Sequence, residues 1–485
     1  MSQRHFAIFD IGTTGTRSVI VNEEGHELSK AYEEYPSKPK DLQPQEQLAN
    51  TFWRTSANTM QRAISGCKYE AESITGVIVT TTRDSLTPID KDGTPLAPTV
   101  TWVDNRSSSK SKEMADEIGP RKSVNKIMWF LENRPALFKK VYKWVLLDAY
   151  INNKLCGTYA SSPADARYGP FDHETLKWSD ELCESTGIPI DTLTDIVNSG
   201  TLIGEISSDA AKATSLRKGT PVIMGSGDQQ CSALGMGVIE TGRVKATTGT
   251  GTFVITHLDE FMENPFVMFC NPSAIPGKWI LEGVVPGTGL MYKWYRDQYC
   301  EPEVALAAKT EQDAYQIIEA SAASVPAGSD GLVMFPFMAY NLGIVYHLGF
   351  AHTKAHVARA ILEANGYGIK MYLEMMEGIL DLKFDELRID GGGSNSPLWR
   401  QIQADCAEKT IVLPKVRDST VIGAAILGTV GTGIYGSYGE AVDNMFHIEE
   451  RREPIPENIT IYRKQYKIFN NLVNSEMGNV LAAIS

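Results

Sequence analysis

Three short β-prone runs open the chain. His5 to Asp10 is mostly apolar, Arg17 to Asn22 is again β-prone, and a third run lies near Glu27 to Tyr32. Gly12 to Gly15 and Glu23-Glu24-Gly25 separate them, so the pattern predicts a strand–loop–strand–turn–strand meander. Its first loop holds no side chain bulkier than threonine. Pro44 is placed to open a helix running to about Cys67. Leu48, Phe52, Ser56, Met60, Ala63 and Ile64 recur there mostly at helical spacing and give it one apolar face. Ile74 to Thr80 reads as a buried strand that delivers Thr81-Thr82-Arg83-Asp84 at its carboxyl end. In open α/β sheets, ligands gather at such ends.

A helical region around Ser123 to Phe138 carries Val124, Ile127, Met128, Phe130 and Leu131, with Pro135 interrupting it. Val145 to Ile151 reads as a further helix. Pro221 to Met224 is a short apolar strand feeding Gly225-Ser226-Gly227-Asp228-Gln229-Gln230, and the small-residue run Cys231 to Val238 that follows reads as helical. The opening theme then recurs: Lys245 to Thr256 is again strand, Thr/Gly loop, strand, and Thr-Thr-Gly-Thr stands at both 13–16 and 247–250. That repetition divides the chain into two related halves, 1–240 and 241–485. In the second, a long helix spans about Lys354 to Ile379. A strand from Leu387 to Asp390 runs into Gly391-Gly392-Gly393-Ser394-Asn395-Ser396, and Pro397 opens a helix. Thr420 to Gly433, rich in Gly and Ala, reads as a helix packed close to a neighbouring backbone.

Composition narrows the classes. The chain has 485 residues, 42% of them hydrophobic and 22% charged, which is a globular balance able to bury large cores without staples. Its net charge of −13 argues against nucleic acid as the main partner. No run of apolar residues has the length of a membrane span, and the start at Met1 turns acidic too soon for a secretory signal. The seven cysteines are dispersed, odd in number and lack a CxxC pair, as expected of reduced thiols in a cytoplasmic protein.

Asp10-Ile-Gly-Thr-Thr-Gly-Thr-Arg17 suits a nucleotide phosphate. Glycines admit close approach, N–H groups and threonine hydroxyls donate, and Asp10 can hold a magnesium ion or its waters. The same residues also make an ordinary hairpin turn. A second such loop at Gly249-Thr250-Gly251 favours the phosphate reading, since two hairpins can clamp one polyphosphate. Asp228, just beyond a strand, can accept a hydroxyl proton during phosphoryl transfer or cap the helix that follows. Gly391-Gly392-Gly393 either admits a flat adenine or makes a strand-to-helix turn. Arg83-Asp84 and the segment Trp102-Val-Asp104-Asn-Arg106 combine donors and acceptors that vicinal hydroxyls need, or form surface ion pairs. His352 and His356 lie one helical turn apart without an evident third metal ligand. Cys231 has no identifiable base and reads as a packed thiol.

Together the N-terminal DxGTT loop, the mid-chain GxGDQQ, the TGTG loop after it and the late DGGGSxSPLWRQIxAD segment resemble the FGGY carbohydrate kinases across nearly the whole chain. The resemblance implies an α/β fold of two actin-like ATPase domains of the ribonuclease H type, with an interdomain cleft for ATP and sugar. It implies that Gly12, Thr13, Thr14, Arg17, Gly249, Thr250 and Gly251 bind phosphate and that Gly392 and Ser396 flank adenine. It makes Asp228 the catalytic base, with Asp10 and Asp228 on the Mg2+ side. Arg83 and Asp84 fall where glycerol kinases hold substrate hydroxyls with an Arg-Glu pair, and Trp102, Asp104 and Gln229 are implied substrate contacts. The acceptor is then a small polyol or keto-sugar. Asn271 to Tyr295 is also similar, more loosely, to the autoinducer-2 kinases of the family. A homodimer is common in the family, and neither nucleic acid nor membrane is an expected partner. A non-kinase actin-like ATPase switch would share both loops, without needing Arg83, Asp84, Trp102 and Asp104. The segments between Gly119 and Ser123 and between Phe337 and Gly343 are shorter than the resemblance implies.

Overall fold

The computed structural model describes residues 4–37, 39–40, 42–119, 121–263, 268–336 and 343–484, with side chains to residue 475. The short segment expected between Phe337 and Gly343 lies outside the described residues. The chain forms two compact units. The first takes Met1–Ile239, Asn271–Trp279 and Ser419–Phe446, and the second Glu240–Cys270, Ile280–Asp418 and His447–Ser485.

In the first unit β1 (His5–Ile11), β2 (Gly15–Asn22) and β3 (Glu27–Glu34) form the expected antiparallel meander. Strand β1 is buried along its whole length, because α1 (Ala49–Gly66) sends Phe52, Met60 and Ala63 into the core that also receives Phe9, Ile11, Val77 and Val79. Strand β4 (Ile74–Thr81) lies parallel to β1. A polar-flanked helix, α2 (Lys122–Asn133), ends before Arg134, and Pro135 starts a separate short turn. Strands β5 (Leu202–Glu205) and β6 (Pro221–Ile223) complete a sheet of order β5-β6-β4-β1-β2-β3, and α3 (Asp228–Gly235) follows β6.

The second unit repeats this plan. Strands β7 (Val244–Thr248) and β8 (Thr252–Leu258) form a hairpin, followed by β9 (Met268–Pro272), β10 (Trp279–Val285), α4 (Thr288–Tyr299) and the long α5 (Lys354–Leu380). Then come β11 (Glu386–Asp390), α6 (Pro397–Ala407), β12 (Thr410–Pro414) and β13 (Ile448–Arg452), in a sheet of order β9-β10-β8-β7-β11-β12-β13. Both sheets therefore share an inner order in which a hairpin's first strand is flanked by its partner and by a later parallel strand.

Three local expectations change. Pro44 does not open a helix: Glu46–Gln47 pairs with Thr99–Val100 as a short strand, and the helix starts at Ala49. Lys143–Leu146 is a strand paired with Leu86–Ile89, so the helix expected from Val145 begins at Leu147. The repeated Thr-Thr-Gly-Thr is not structurally equivalent in its two copies. Thr13 and Thr14 lie in the β1–β2 loop, whereas Thr247 and Thr248 are still in strand β7. The equivalent pairs are Gly12-Thr13 and Gly249-Thr250, which each follow directly on the first strand of a hairpin.

Helix Ser419–Gly431 belongs to the first unit and packs on α3 at backbone distance. A Cβ on Gly423 would lie 1.7 Å from the Cys231 carbonyl, and one on Gly235 2.0 Å from the Ser419 carbonyl. The Ser232 and Ser419 hydroxyls also meet at 2.8 Å. Among the described residues no helix is long and apolar enough to cross a membrane. Gly423→Ala should cost about 1–3 kcal/mol, because neither backbone can yield without moving the helix. Gly378→Ala, on α5 with open space around it, should be neutral or gain up to about 1 kcal/mol. Urea denaturation of the two variants checks the contrast.

Candidate functional site

Three strand ends meet in register in the first unit. Ile11 pairs with Thr81, the Thr82 N–H donates to the Ile11 carbonyl at 3.0 Å, and Thr81 bridges to Gly227. The β1–β2 loop, Arg83 and Asp228 follow directly on these three ends. Gly225 and Gly227 are required for that approach. A Cβ on Gly225 would sit 1.7 Å from the Val79 carbonyl, and one on Gly227 2.6 Å from Arg83 Cγ. Asp228 is not the helix cap; Gly227 is, and Asp228 is the first residue of α3. Its Oδ1 accepts from the Gln229 N–H at 2.7 Å and stands 3.7 Å from Arg83 Nε. A carboxylate in the first turn of a helix is favoured by the free N–H groups there. The Asp228 side chain keeps 27% of its surface exposed, whereas Gln229 is buried.

The loop itself is a tight turn, with the Gly12 N–H donating to the Gly15 carbonyl at 3.0 Å and the Tyr35 hydroxyl to the Gly12 carbonyl at 2.9 Å. Thr13 and Thr14 are exposed. Trp102 reaches this loop, donating its indole N–H to Thr13 Oγ1 at 2.9 Å. Arg17 pairs with Asp10 at 2.5 Å across β1 and β2, so in this structure its charge is directed to Asp10.

Two expected hydroxyl-binding carboxylates are engaged elsewhere. Asp84 is buried at a backbone φ of 61°, a left-handed conformation that is uncommon outside glycine. Its Oδ1 accepts from Ser123 at 2.5 Å and its Oδ2 from Lys126 Nζ at 2.8 Å, and Lys126 also donates to the Asp84 carbonyl at 2.6 Å. Asp104 accepts from Arg106 through both oxygens, at 2.9 and 2.8 Å, and Arg106 continues to Glu46 at 2.8 Å while lying 4.7 Å from the Trp129 ring. No sequence motif marks Lys126, although Ser123, Lys126, Ile127 and Phe130 share one helical stripe that the structure buries. Burial pulls the Lys126 ammonium below its usual range, and Asp84 opposes that.

Behind Asp228 lies a fully buried pair, Asp148 and Asp165. Asp148 accepts from Ser161 at 2.9 Å and the Ser162 N–H at 3.0 Å, and Asp165 accepts from the Ser162 hydroxyl at 2.7 Å. Burial raises both carboxyls, Asp148 to about 6. Cys231 is a packed thiol pushed up to about 12 by burial.

In the second unit Gly249 and Thr250 are exposed at the β7–β8 turn, closed by the Gly249 N–H to the Gly251 carbonyl at 2.8 Å. The turn rests on a buried polar network. Asn365 donates to Thr252 at 2.8 Å, Gln403 donates to Thr248 at 3.2 Å, and Thr252 meets Thr288 at 2.9 Å. Gly391, at φ 80°, packs on Thr248, where a Cβ would lie 2.5 Å from its carbonyl. Gly392 faces open space. The glycine-rich segment and the second loop are thus neighbours. Ser396 caps α6, accepting from the Trp399 N–H at 2.9 Å. His356 closes the start of α5 by bonding Thr353 and pairs with Asp330 at 3.1 Å. Among the described residues no group of three or more His, Cys, Asp or Glu could hold a metal ion.

Comparison with known proteins gives a consistent set of likenesses. Residues 6–235 match the N-terminal domain, and residues 244–432 the C-terminal domain, of the FGGY family of carbohydrate kinases. The chain is 27% identical over 492 residues to the autoinducer-2 kinase of Photorhabdus laumondii, covering 96% of this chain and 93% of that protein. It is 28% identical over 489 residues to the gluconokinase of Bacillus subtilis, covering 96% and 94%. The fold is that of the xylulose kinase of Rhodospirillum rubrum, with a TM-score of 0.85 at 23% identity over 98% of this chain and 99% of the other.

Lys126→Met should leave Asp84 buried without its cation, a loss of about 3–5 kcal/mol. Replacing both residues, Asp84→Asn with Lys126→Met, should recover much of that stability. Thermal unfolding of the single and double variants measures both.

Proposed function

The chain belongs to the FGGY family of carbohydrate kinases, and from that premise we propose that Asp228 is the general base that activates the acceptor hydroxyl. The kinase uses ATP, and the acceptor is a small polyol or keto-sugar. The hydroxyl oxygen attacks the γ-phosphorus, the bond from that phosphorus to the β,γ-bridging oxygen breaks with its electron pair leaving on ADP, and the hydroxyl proton passes to Asp228. The observation that supports this assignment is the register of Ile11, Thr81 and Gly227, which sets a half-open carboxylate, Arg83 and a Gly/Thr loop on adjacent strand ends. Arg83 both neutralises Asp228 and can donate to an acceptor hydroxyl.

In the first unit Gly12, Thr13 and Thr14, and in the second Gly249, Thr250 and Gly251, each make a loop suited to donating to phosphate oxygens, and the open face of Gly392 is suited to adenine. Thr13 and Thr250 match in position, each second in its turn, which supports a shared role. Asp10 and Asp228 would hold the waters of a magnesium ion, which supplies positive charge against the phosphates. Such an ion binds through one or two carboxylates and the nucleotide itself, so a three-ligand protein cage is not required. Asp84 and Asp104 act by holding Arg83 and Trp102 in place; in this reading they are positioning residues.

Asp228→Asn should lower kcat by about 10²- to 10⁴-fold while the KM for ATP changes little. The measurement is acceptor-dependent ADP release over a panel of polyols, ketoses and sugar acids, with the autoinducer-2 precursor as a further arm. Near-normal turnover by this variant would remove Asp228 from the base role. ATP hydrolysis at the same rate with and without every acceptor would instead favour a nucleotide switch.

A further inference from the structure

Three arginines gather on one short turn of the first unit. Arg83 lies 5.9 Å and Arg167 5.1 Å from the ring of Tyr168. Arg121 donates to the carbonyls of Gly169 at 3.2 Å and Phe171 at 2.6 Å, so its guanidinium is bonded to the same turn. Arg83 is the member that faces Asp228. Neither of the other two forms a salt bridge among the described residues, although Arg121 feels the charge of Asp172 through space. Arg167 is 4% exposed, donates to the Asn271 side chain and leaves its Nε without a partner. Arg121 bonds only carbonyl oxygens.

The acidic groups nearby bond elsewhere, and only Asp172 offsets the charge of Arg121, without a hydrogen bond to it. Asp172 turns into its own loop, accepting from the Glu174 N–H at 2.8 Å and the Thr175 hydroxyl at 2.7 Å. Asp84 is held by Lys126, and Asp165 is raised by burial beside Asp148. Burial first, and the neighbouring positive charge second, disfavour the protonated forms here. Burial and the charge of Arg167 lower Arg121 to about 10, and burial with Arg167 and Arg121 lowers His173 to about 3, in both cases against the opposing charge of Asp172. Two desolvated guanidiniums without an anion are costly, and a bound anion removes that cost. Guanidinium is also the side chain best matched to a planar carboxylate.

We propose that Arg121, backed by Arg167, receives an anionic end of the acceptor, so that the preferred acceptor is a sugar acid whose hydroxyl is presented to Asp228. This rests on the kinase reading above and replaces its neutral polyol or keto-sugar with a sugar acid. A phosphate ester on the sugar would offer the same charge, and the experiment separates the two sources. The transfer itself is unchanged: the acceptor hydroxyl takes the γ-phosphoryl group, ADP leaves, and Asp228 takes the proton.

ADP release by the full chain with ATP and magnesium is compared for gluconate, gluconamide, glucitol and glucose 6-phosphate. Gluconate should exceed gluconamide and glucitol by about 100-fold in kcat/KM, the worth of a charge-assisted hydrogen-bonded pair. A higher value with glucose 6-phosphate than with gluconate overturns the sugar-acid assignment. Arg121→Gln should cut the gluconate-to-gluconamide ratio by about tenfold or more, and Arg121→Lys should restore part of it. A purely structural Arg121 would lower both acceptors together and leave the ratio unchanged, which overturns the proposal. Equal use of gluconate and glucitol overturns it while the kinase reading stands. ADP release with none of the panel, nor with any polyol or ketose, overturns the kinase reading instead.

Discussion

Backbone meets backbone on two sides of Asp228, and the rest of the site depends on that. Gly225 lies against Val79 on one side, and Gly423 against Cys231 on the other, each with room for a hydrogen but none for a methyl group. Helix α3 is consequently held by main-chain surfaces, which have no rotamers through which to relax. A carboxylate mounted on its first turn is fixed in position before any ligand arrives. For the proposed base, that is the condition under which it and an electrostatic partner lower a barrier without reorganising during the reaction.

Charge is distributed around this fixed point in a deliberate division. Asp10 is matched to Arg17, Asp84 to Lys126, and Asp104 to Arg106, each pair with short contacts and partial or full burial. These pairs fix geometry and contribute little net field. What remains is Arg83 against Asp228 and the two arginines on the Tyr168–Phe171 turn. The net charge of −13 therefore says nothing about the potential at the site, which is set locally by residues gathered from three segments of the first unit.

Much of the fold was legible because its signals are local. The opening meander, the strand before Arg83, the long α5 and the Pro397 helix start follow from periodicity and turn residues. Pro44 misled because a short strand, Glu46–Gln47, found a partner at Thr99–Val100, more than fifty residues away in sequence. The repeated tetrapeptide misled differently. Its identity drew attention to two genuine hairpins, but the strands end at different points of the motif, and only Gly12-Thr13 and Gly249-Thr250 correspond. Among the candidate site residues, Asp228, Trp102 and the loop threonines keep exposed surface, whereas the Arg83 side chain is 9% exposed. Asp84 and Asp104 looked equally available in sequence. The residues that occupy them, Lys126 and Arg106, differ in legibility: Arg106 is two positions from Asp104, while Lys126 is supplied from a separate helix.

The sequence by itself determined the family and the two hairpin loops. These are written in residue types at short spacing, where glycine, threonine and aspartate leave few alternatives. Tertiary structure alone decided which charges are free. Whether an arginine or aspartate meets a ligand or a partner depends on what long-range folding brings within about 4 Å, since Coulomb attraction and desolvation act through space and not along the chain. It also decided that the Gly/Ala helix beginning at Ser419 packs on α3, because close packing of two helices depends on which small residues face each other.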